Sequence, residues 1–391
     1  PNRLGLFDAE GDYIIPEHTG ISWDAPVKNI GDAIMYLRQN LVEEPSKAIG
    51  KRAHYHLPSA WDGSGNPTAY TDYDYVQILV KEGELSTAGP NNYLGNEMRT
   101  ASIRMLSHLR LYGGYPTSLT GTSTTGRDPM NLAPKITANI LGAVGHDAYE
   151  NNSAHVLTYV NAEYAIVDGF KLYNGNAHNL QNVTSSIEAG AGVIVNNATT
   201  SANSRIDMVG NELRNCRLAN NSAPKGAAIY VNGEHRKGLA GMMQVCYAEL
   251  AIVNCIIRNN TADYDAENPL ATSHGVITAN GRAFIDMDHC DVVNNVGYPF
   301  KADNKTTRGN AEMPFHGYIR VDNSLIFCNG DKVLDDRGEL GAVAHVLSVY
   351  PDGQDYVYGT YNLFDADLRL HNEDENQPTG FFKEGFTHAS T

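Results

Sequence analysis

One seven-residue phrase is written four times in this chain. It reads Asn215-Cys216-Arg217-Leu218-Ala219-Asn220-Asn221, then Asn254-Cys255-Ile256-Ile257-Arg258-Asn259-Asn260. It returns as His289-Cys290-Asp291-Val292-Val293-Asn294-Asn295 and as Asn323-Ser324-Leu325-Ile326-Phe327-Cys328-Asn329, with a fainter copy from Gly169 to Gly175. The anchors Cys216, Cys255, Cys290 and Ser324 lie 39, 35 and 34 residues apart. Self-similarity at tens of residues marks a stacked repeat. Spacing this uneven fits a solenoid whose coils carry loops of different length on one side.

Within each copy, apolar and polar residues alternate, the period of a strand with one buried face. The flanking asparagines point to turns, because Asn tolerates the left-handed conformation. A second phrase precedes the first three copies: Gly192 to Val195, Ala228 to Val231, and Gly275 to Thr278. Each coil is therefore expected to hold a small-residue strand, a variable loop, and a strand broken at Asn and resumed at Cys. Stacking places Cys216, Cys255, Cys290 and Ser324 in one inward column. Asn215, Asn254, His289 and Asn323 fall in a turn column, mostly an asparagine ladder.

The net charge of −16, from 45 acidic against 29 basic residues, argues against a nucleic-acid partner, which needs clustered Lys and Arg. No apolar run approaches the length of a membrane-crossing helix. The chain opens at Pro1, the expectation for a processed or trimmed chain. The stacked cysteines read as small buried hydrophobes rather than disulfides, with Cys246 and Cys328 outside their column.

Taken in order, residues 1–45 are expected to form an N-terminal segment with a capping helix. Asn29 is its N-cap, Asp32 lies in its first turn, and Ile30, Ala33, Ile34 and Leu37 share one face. Such a helix would cover the open end of the stack. Residues 46–370 are expected to form the solenoid, with Lys47 to Asp74 as loop and Val76 to Gly83 as the first clear strand. Residues 371–391 read as a loosely held polar tail.

Trp23-Asp24-Ala25 with Asp32-Ala33-Ile34, then Val80-Lys81-Glu82-Gly83, resembles the N-terminal part of pectate-lyase-like right-handed parallel β-helix proteins. Leu111-Tyr112-Gly113-Gly114-Tyr115, Arg127-Asp128-Pro129 and Ile140-Leu141-Gly142 are similar to the secreted or surface type of Bacteroidetes-like bacteria. Asp168-Gly169-Phe170 and Asn259-Asn260-Thr261-Ala262 resemble repeats of polymorphic outer-membrane proteins. The resemblance implies an all-β, right-handed parallel β-helix on a secreted or cell-surface protein. It also implies a polysaccharide or cell-surface glycan as partner, met either as a non-catalytic adhesin or binding module, or as a polysaccharide lyase or glycoside hydrolase.

The repeat alignment stacks Asp286-Met287-Asp288 on Arg320-Val321-Asp322. Met287 and Val321 point inward, so Asp286, Asp288, Arg320 and Asp322 point outward as the candidate catalytic set. Asp288 and Asp322, on adjacent rungs, are expected to share a proton or bind a cation, calcium being the candidate and no other cofactor being expected. The second candidate is a ligand-binding cluster of Tyr70, Asp72, Tyr73, Asp74 and Tyr75, where aromatics beside carboxylates suit a sugar ring. The ordinary alternative for both is a solvated face or a packed loop.

Overall fold

The computed structural model describes residues 6–7, 13–14, 24, 26, 29–42, 53–62, 67–87, 98–139, 152–178, 188–196, 207–233, 235–237, 243–245, 247–262, 275–305, 315–327, 329, 344–349, 357–358, 361–364, 368–372 and 387–388.

Three sheets of nine, eight and seven strands form a parallel β-helix. Each coil passes from the seven-stranded sheet to the eight-stranded sheet and on to the nine-stranded sheet. One coil runs Ile229–Gly233, Ala248–Val253, Ile256–Arg258, and the next runs Gly275–Gly281, Ala283–Asp288, Asp291–Val293. Pairing between these coils is parallel in all three sheets. The core is the shared interior. Leu213, Ile252, Met287 and Val321 stack from one sheet, and Leu218, Ile257, Val292 and Ile326 from the next.

The corner between the eight- and nine-stranded sheets is what the repeated phrase encodes. Asn215, Asn254, His289 and Asn323 all sit at φ of 50–53°, in the left-handed region where Asn is tolerated. Asn254 Nδ2 donates to Asn215 Oδ1 at 2.6 Å, and Asn215 Nδ2 donates to Asp168 Oδ1 at 2.8 Å. Cys216, Cys255 and Cys290 follow, buried and free. Burial and the neighbouring thiols hold the Cys255 thiol well above its ordinary value, so it stays protonated.

A second, buried ladder runs through the last residue of each phrase. Asn221 Nδ2 donates to Asn260 Oδ1 (2.9 Å), Asn260 Nδ2 to Asn295 Oδ1 (3.0 Å), and Asn295 Nδ2 to Asn329 Oδ1 (2.8 Å). Each amide also closes a backbone group of its own or the preceding coil, such as Leu218 O and Ile257 O. These side chains fill the acceptor and donor needs of a corner that water does not reach.

The helix Ile30–Gln39 packs on the first strand of the seven-stranded sheet, Ile103–Met105. Asn29 Oδ1 accepts the Gly31 N–H at 2.8 Å, and the helix buries Ile30, Gly31, Ile34 and Leu37, while Ala33 stays half-buried.

Three expectations are corrected. Residues 47–74 are not loop throughout: His54–Trp61 and Pro67–Tyr73 form an antiparallel hairpin, and parallel pairing starts only at Val76. The hairpin is fixed by Tyr55, fully buried, whose hydroxyl donates to Ser107 O at 2.7 Å. The third small-residue phrase enters one residue later than its spelling suggests, since Ile229 pairs with Ile277. In the stretch read as a loose tail, Thr387–His388 pairs in parallel with Leu363–Phe364 as the last strand of the nine-stranded sheet. Most of that tail, with Cys246, Cys328 and Ile140-Leu141-Gly142, lies outside the described residues.

Candidate functional site

The outer face of the eight-stranded sheet carries three parallel columns of side chains, set by the register. The first runs Tyr75, His108, Tyr164, Gly210, Glu249, Phe284, Tyr318: its last three members follow the strand pairing, while the His108 and Tyr164 rings meet, Tyr164 lies over Gly210, and the Gly210 strand carries one extra residue between Met208 and Glu212 against Ala248 to Ala251. Beside it runs Gln77, Arg110, Ile166, Glu212, Ala251, Asp286, Arg320, and beyond that Leu79, Tyr112, Asp168, Arg214, Val253, Asp288, Asp322. With rungs ~4.8 Å apart, the first column is about 29 Å long.

Aromatics occupy both ends of that column. Tyr75, Tyr164 and Tyr318 are exposed large side chains. Tyr75 lies over the Arg110 guanidinium, 3.8 Å from carbon to ring centroid. The Tyr164 ring covers Gly210, where a Cβ would stand 2.5 Å from Tyr164 Cδ1, and Gly210 itself has φ +65°. Glycine at 210 is thus what lets the tyrosine lie flat along the face.

Carboxylates and arginines fill the middle. Asp286 takes a two-pronged pair from Arg320, Nε to Oδ1 at 2.7 Å and Nη2 to Oδ2 at 2.5 Å, while Asp322 Oδ2 lies 3.4 Å from Arg320 Nε. Glu212 pairs with Arg214. Glu249 is half-buried and among the described residues has no arginine of its own. Burial, then the negative charges of Asp286 and Glu212, raise its carboxyl above the ordinary value, against the Gly210 N–H bond that lowers it. Environments that push neighbouring carboxyls apart separate an acid from a carboxylate.

One wall of the face is the loop between Leu109–Tyr115 and Lys135–Thr137. Arg127 on this loop pairs with buried Asp168 (2.7 Å) and donates to Gly113 O (2.8 Å). A Cβ on Gly114 would meet Asp128 O, and one on Gly169 would meet Pro129 Cβ, each at 2.7 Å. The Gly113-Gly114, Arg127-Asp128-Pro129 and Asp168-Gly169 phrases, far apart in sequence, form this one clamp.

The expected quartet is brought together in the expected register, Asp286 beside Arg320 and Asp288 beside Asp322. Burial works to raise the Asp288 carboxyl, but hydrogen bonds from Asn323 Nδ2 (2.9 Å) and His289 Nδ1 (2.8 Å) outweigh it and leave it below the ordinary value. Among the described residues, no three His, Cys, Asp or Glu side chains gather to hold a metal ion.

The tyrosine–aspartate cluster is split. Tyr75 joins the sheet face. Tyr70 and Asp72 lie on the hairpin with His54 and His56: the His56 ring stacks on Tyr70 at 4.7 Å, and its Nδ1 donates to Asp72 Oδ1 at 2.7 Å. That bond, with the nearby His54, holds the Asp72 carboxyl below its ordinary value. Tyr73 faces the other way, opposite Tyr55, and Asp74 is an exposed bend residue. Glu249, Glu212 and the Tyr164–Gly210 contact were missed in the sequence because the phrase starts at the corner and does not extend back across the preceding strand. The signal available was the register itself, extended upstream from Asn254.

No protein-family model and no curated protein sequence matches the chain. Among solved structures, it is similar to a pectin methylesterase from Yersinia enterocolitica, at 10% identity over 80% of this chain and 84% of that chain, with a TM-score of 0.28. The parallel strand pairing of the three sheets defines the fold. Among the described residues no helix is long and apolar enough to cross a membrane.

Proposed function

We propose that this is an exported surface protein that binds an extended glycan along the outer face of the eight-stranded sheet. The carrying observation is the column Tyr75, Tyr164, Phe284, Tyr318, which lines the face in parallel with a row of paired charges. Aromatic faces take the apolar faces of sugar rings, and arginines and carboxylates take hydroxyls and fix orientation. Export is supported by the resemblance of the sequence to secreted β-helix proteins.

The test is a panel of polysaccharides read for both binding and product release. Binding to at least one is expected, with Tyr164→Ala and Tyr318→Ala each weakening it roughly tenfold, the loss of one good contact. Binding unchanged in both variants would move the ligand to another surface.

A second reading, cleavage of the same glycan, is favoured by Glu249. It is a carboxyl inclined to hold its proton beside Asp286, which Arg320 grips through both carboxylate oxygens. On this reading Glu249→Gln abolishes product release and leaves binding within about twofold. Product release from no member of the panel would leave the binding reading alone.

A further inference from the structure

The outward column of the seven-stranded sheet begins with Arg104 and continues Thr158, Ile194, Tyr230, Thr278, Lys301. From Thr158 to Thr278 these side chains are buried; Arg104 is half-buried, so its site opens to solvent at the first coil. Its Nη2 atom is shielded from solvent and has no hydrogen-bond partner. The charge that acts on it is of the same sign: Arg38, in the last turn of the capping helix, which packs on the strand holding Arg104. Burial first, and then Arg38, pull the Arg104 guanidinium down to about 10.

A guanidinium withdrawn from water without an acceptor is costly, and a second arginine beside it adds repulsion. Among the described residues, no carboxylate offsets the charge on Arg104. Next to Arg104, Ser102 Oγ lies 3.2 Å from Thr158 Oγ1 and 3.4 Å from Ile103 O, its one proton serving either acceptor. A shielded guanidinium nitrogen without an acceptor, with the exposed Arg38 on the helix packed against its strand, is complementary to an oxyanion, and arginine's fork matches a carboxylate or sulfate.

We propose that Arg104 and Arg38 form an oxyanion-binding site at the N-terminal end of the solenoid, filled by a sulfate or carboxylate group. This site stands on a different sheet from the proposed glycan face and does not depend on that reading. The oxyanion has two sources, a free inorganic ion or the acidic group of a sugar, and separate titrations distinguish them. The full chain is titrated calorimetrically with sodium sulfate, with glucuronate, and with glucose, at ionic strength fixed with chloride. Saturable one-to-one binding of sulfate or glucuronate, but not of glucose, is expected. Tighter sulfate binding marks a free ion, and tighter glucuronate binding an acidic sugar. Arg104→Met should weaken the tighter ligand at least tenfold, and Arg38→Gln severalfold. In anion-free buffer Arg104→Met should melt no lower than the parent chain, because it removes an uncompensated charge, and its melting temperature should no longer rise with added anion. The proposal is overturned if neither anion binds, if Arg104→Met binds as the parent does, or if Arg104→Met melts lower without anion.

Discussion

The seven- and eight-stranded sheets share one core yet present opposite outer faces. On the seven-stranded sheet the outward column Thr158, Ile194, Tyr230, Thr278 is buried. Glycines at positive φ, Gly190 and Gly226, bring backbone against it: a Cβ on either would stand within 2.8 Å of Ile194 or Tyr230. On the eight-stranded sheet the outward columns hold arginines, carboxylates and exposed tyrosines. In a solenoid every strand has an outward row, so a ligand face is found where that row is left uncovered and filled with groups that need partners.

The sharpest way to break this comparison is to place the same charge on both faces. Ile194→Asp puts an unpaired carboxylate under the covering segment and should cost about 3–5 kcal/mol. Val253→Asp, on the open face between Arg214 and Asp288, should cost under about 1 kcal/mol. Urea denaturation of the two variants checks it. Equal losses would mean that the eight-stranded face is covered as well.

A smaller effect comes from His155, just ahead of the strand Leu157–Val160, whose Nδ1 donates to Gly190 O of the covering segment at 3.1 Å. Burial lowers its pKa from 6.5 to about 4, against that hydrogen bond, which raises it. A base with a depressed folded pKa lends its full stability above 6.5. That stability is lost as pH falls towards 4, about 3 kcal/mol in all. Melting temperature should therefore decline over that window, and His155→Gln, which can still donate to Gly190 O, should flatten the decline. An unchanged slope would assign the acid sensitivity to the carboxylates of the open face.

How legible all this was follows the same division. The corner phrase showed the stacked cysteines and the outer asparagine ladder, because a corner demands particular residue types: left-handed Asn, then a small inward side chain. The buried ladder Asn221, Asn260, Asn295, Asn329 was spelled out in the same phrases and read only as turn. A buried amide and an exposed turn amide look alike until the neighbouring coil is placed. The pairing of Asp286 with Arg320 was readable because both lie on the strand leading into the corner. Glu249 and Tyr164 were not, since the connections between seven- and eight-stranded sheets vary in length and erase the period just before them. The hairpin His54–Tyr73 lies before the first repeat, and its strands carry no recurring phrase.

The smallest expected effect lies on the open face itself, at Asp288. Burial acts to raise its pKa; the hydrogen bonds from Asn323 and His289, and the charge on His289, prevail and lower it. An acid with a depressed folded pKa lends stability above its ordinary value of 3.8 and loses it as pH falls through the folded value. Its side chain is 44% exposed, so solvent screens most of that gain. Asp288→Asn should lower the urea midpoint at neutral pH by the equivalent of under about 1 kcal/mol, and the difference should shrink as pH falls below 3.8. A loss that persists in acid would mean that the substitution disturbs the corner at His289 and Asn323. A gain at neutral pH would mean that repulsion from Asp322, directly opposite on the next rung, outweighs both hydrogen bonds. In that case the open face carries negative charge held against its own stability, and glycan binding there should strengthen as neighbouring carboxylates are neutralised one at a time.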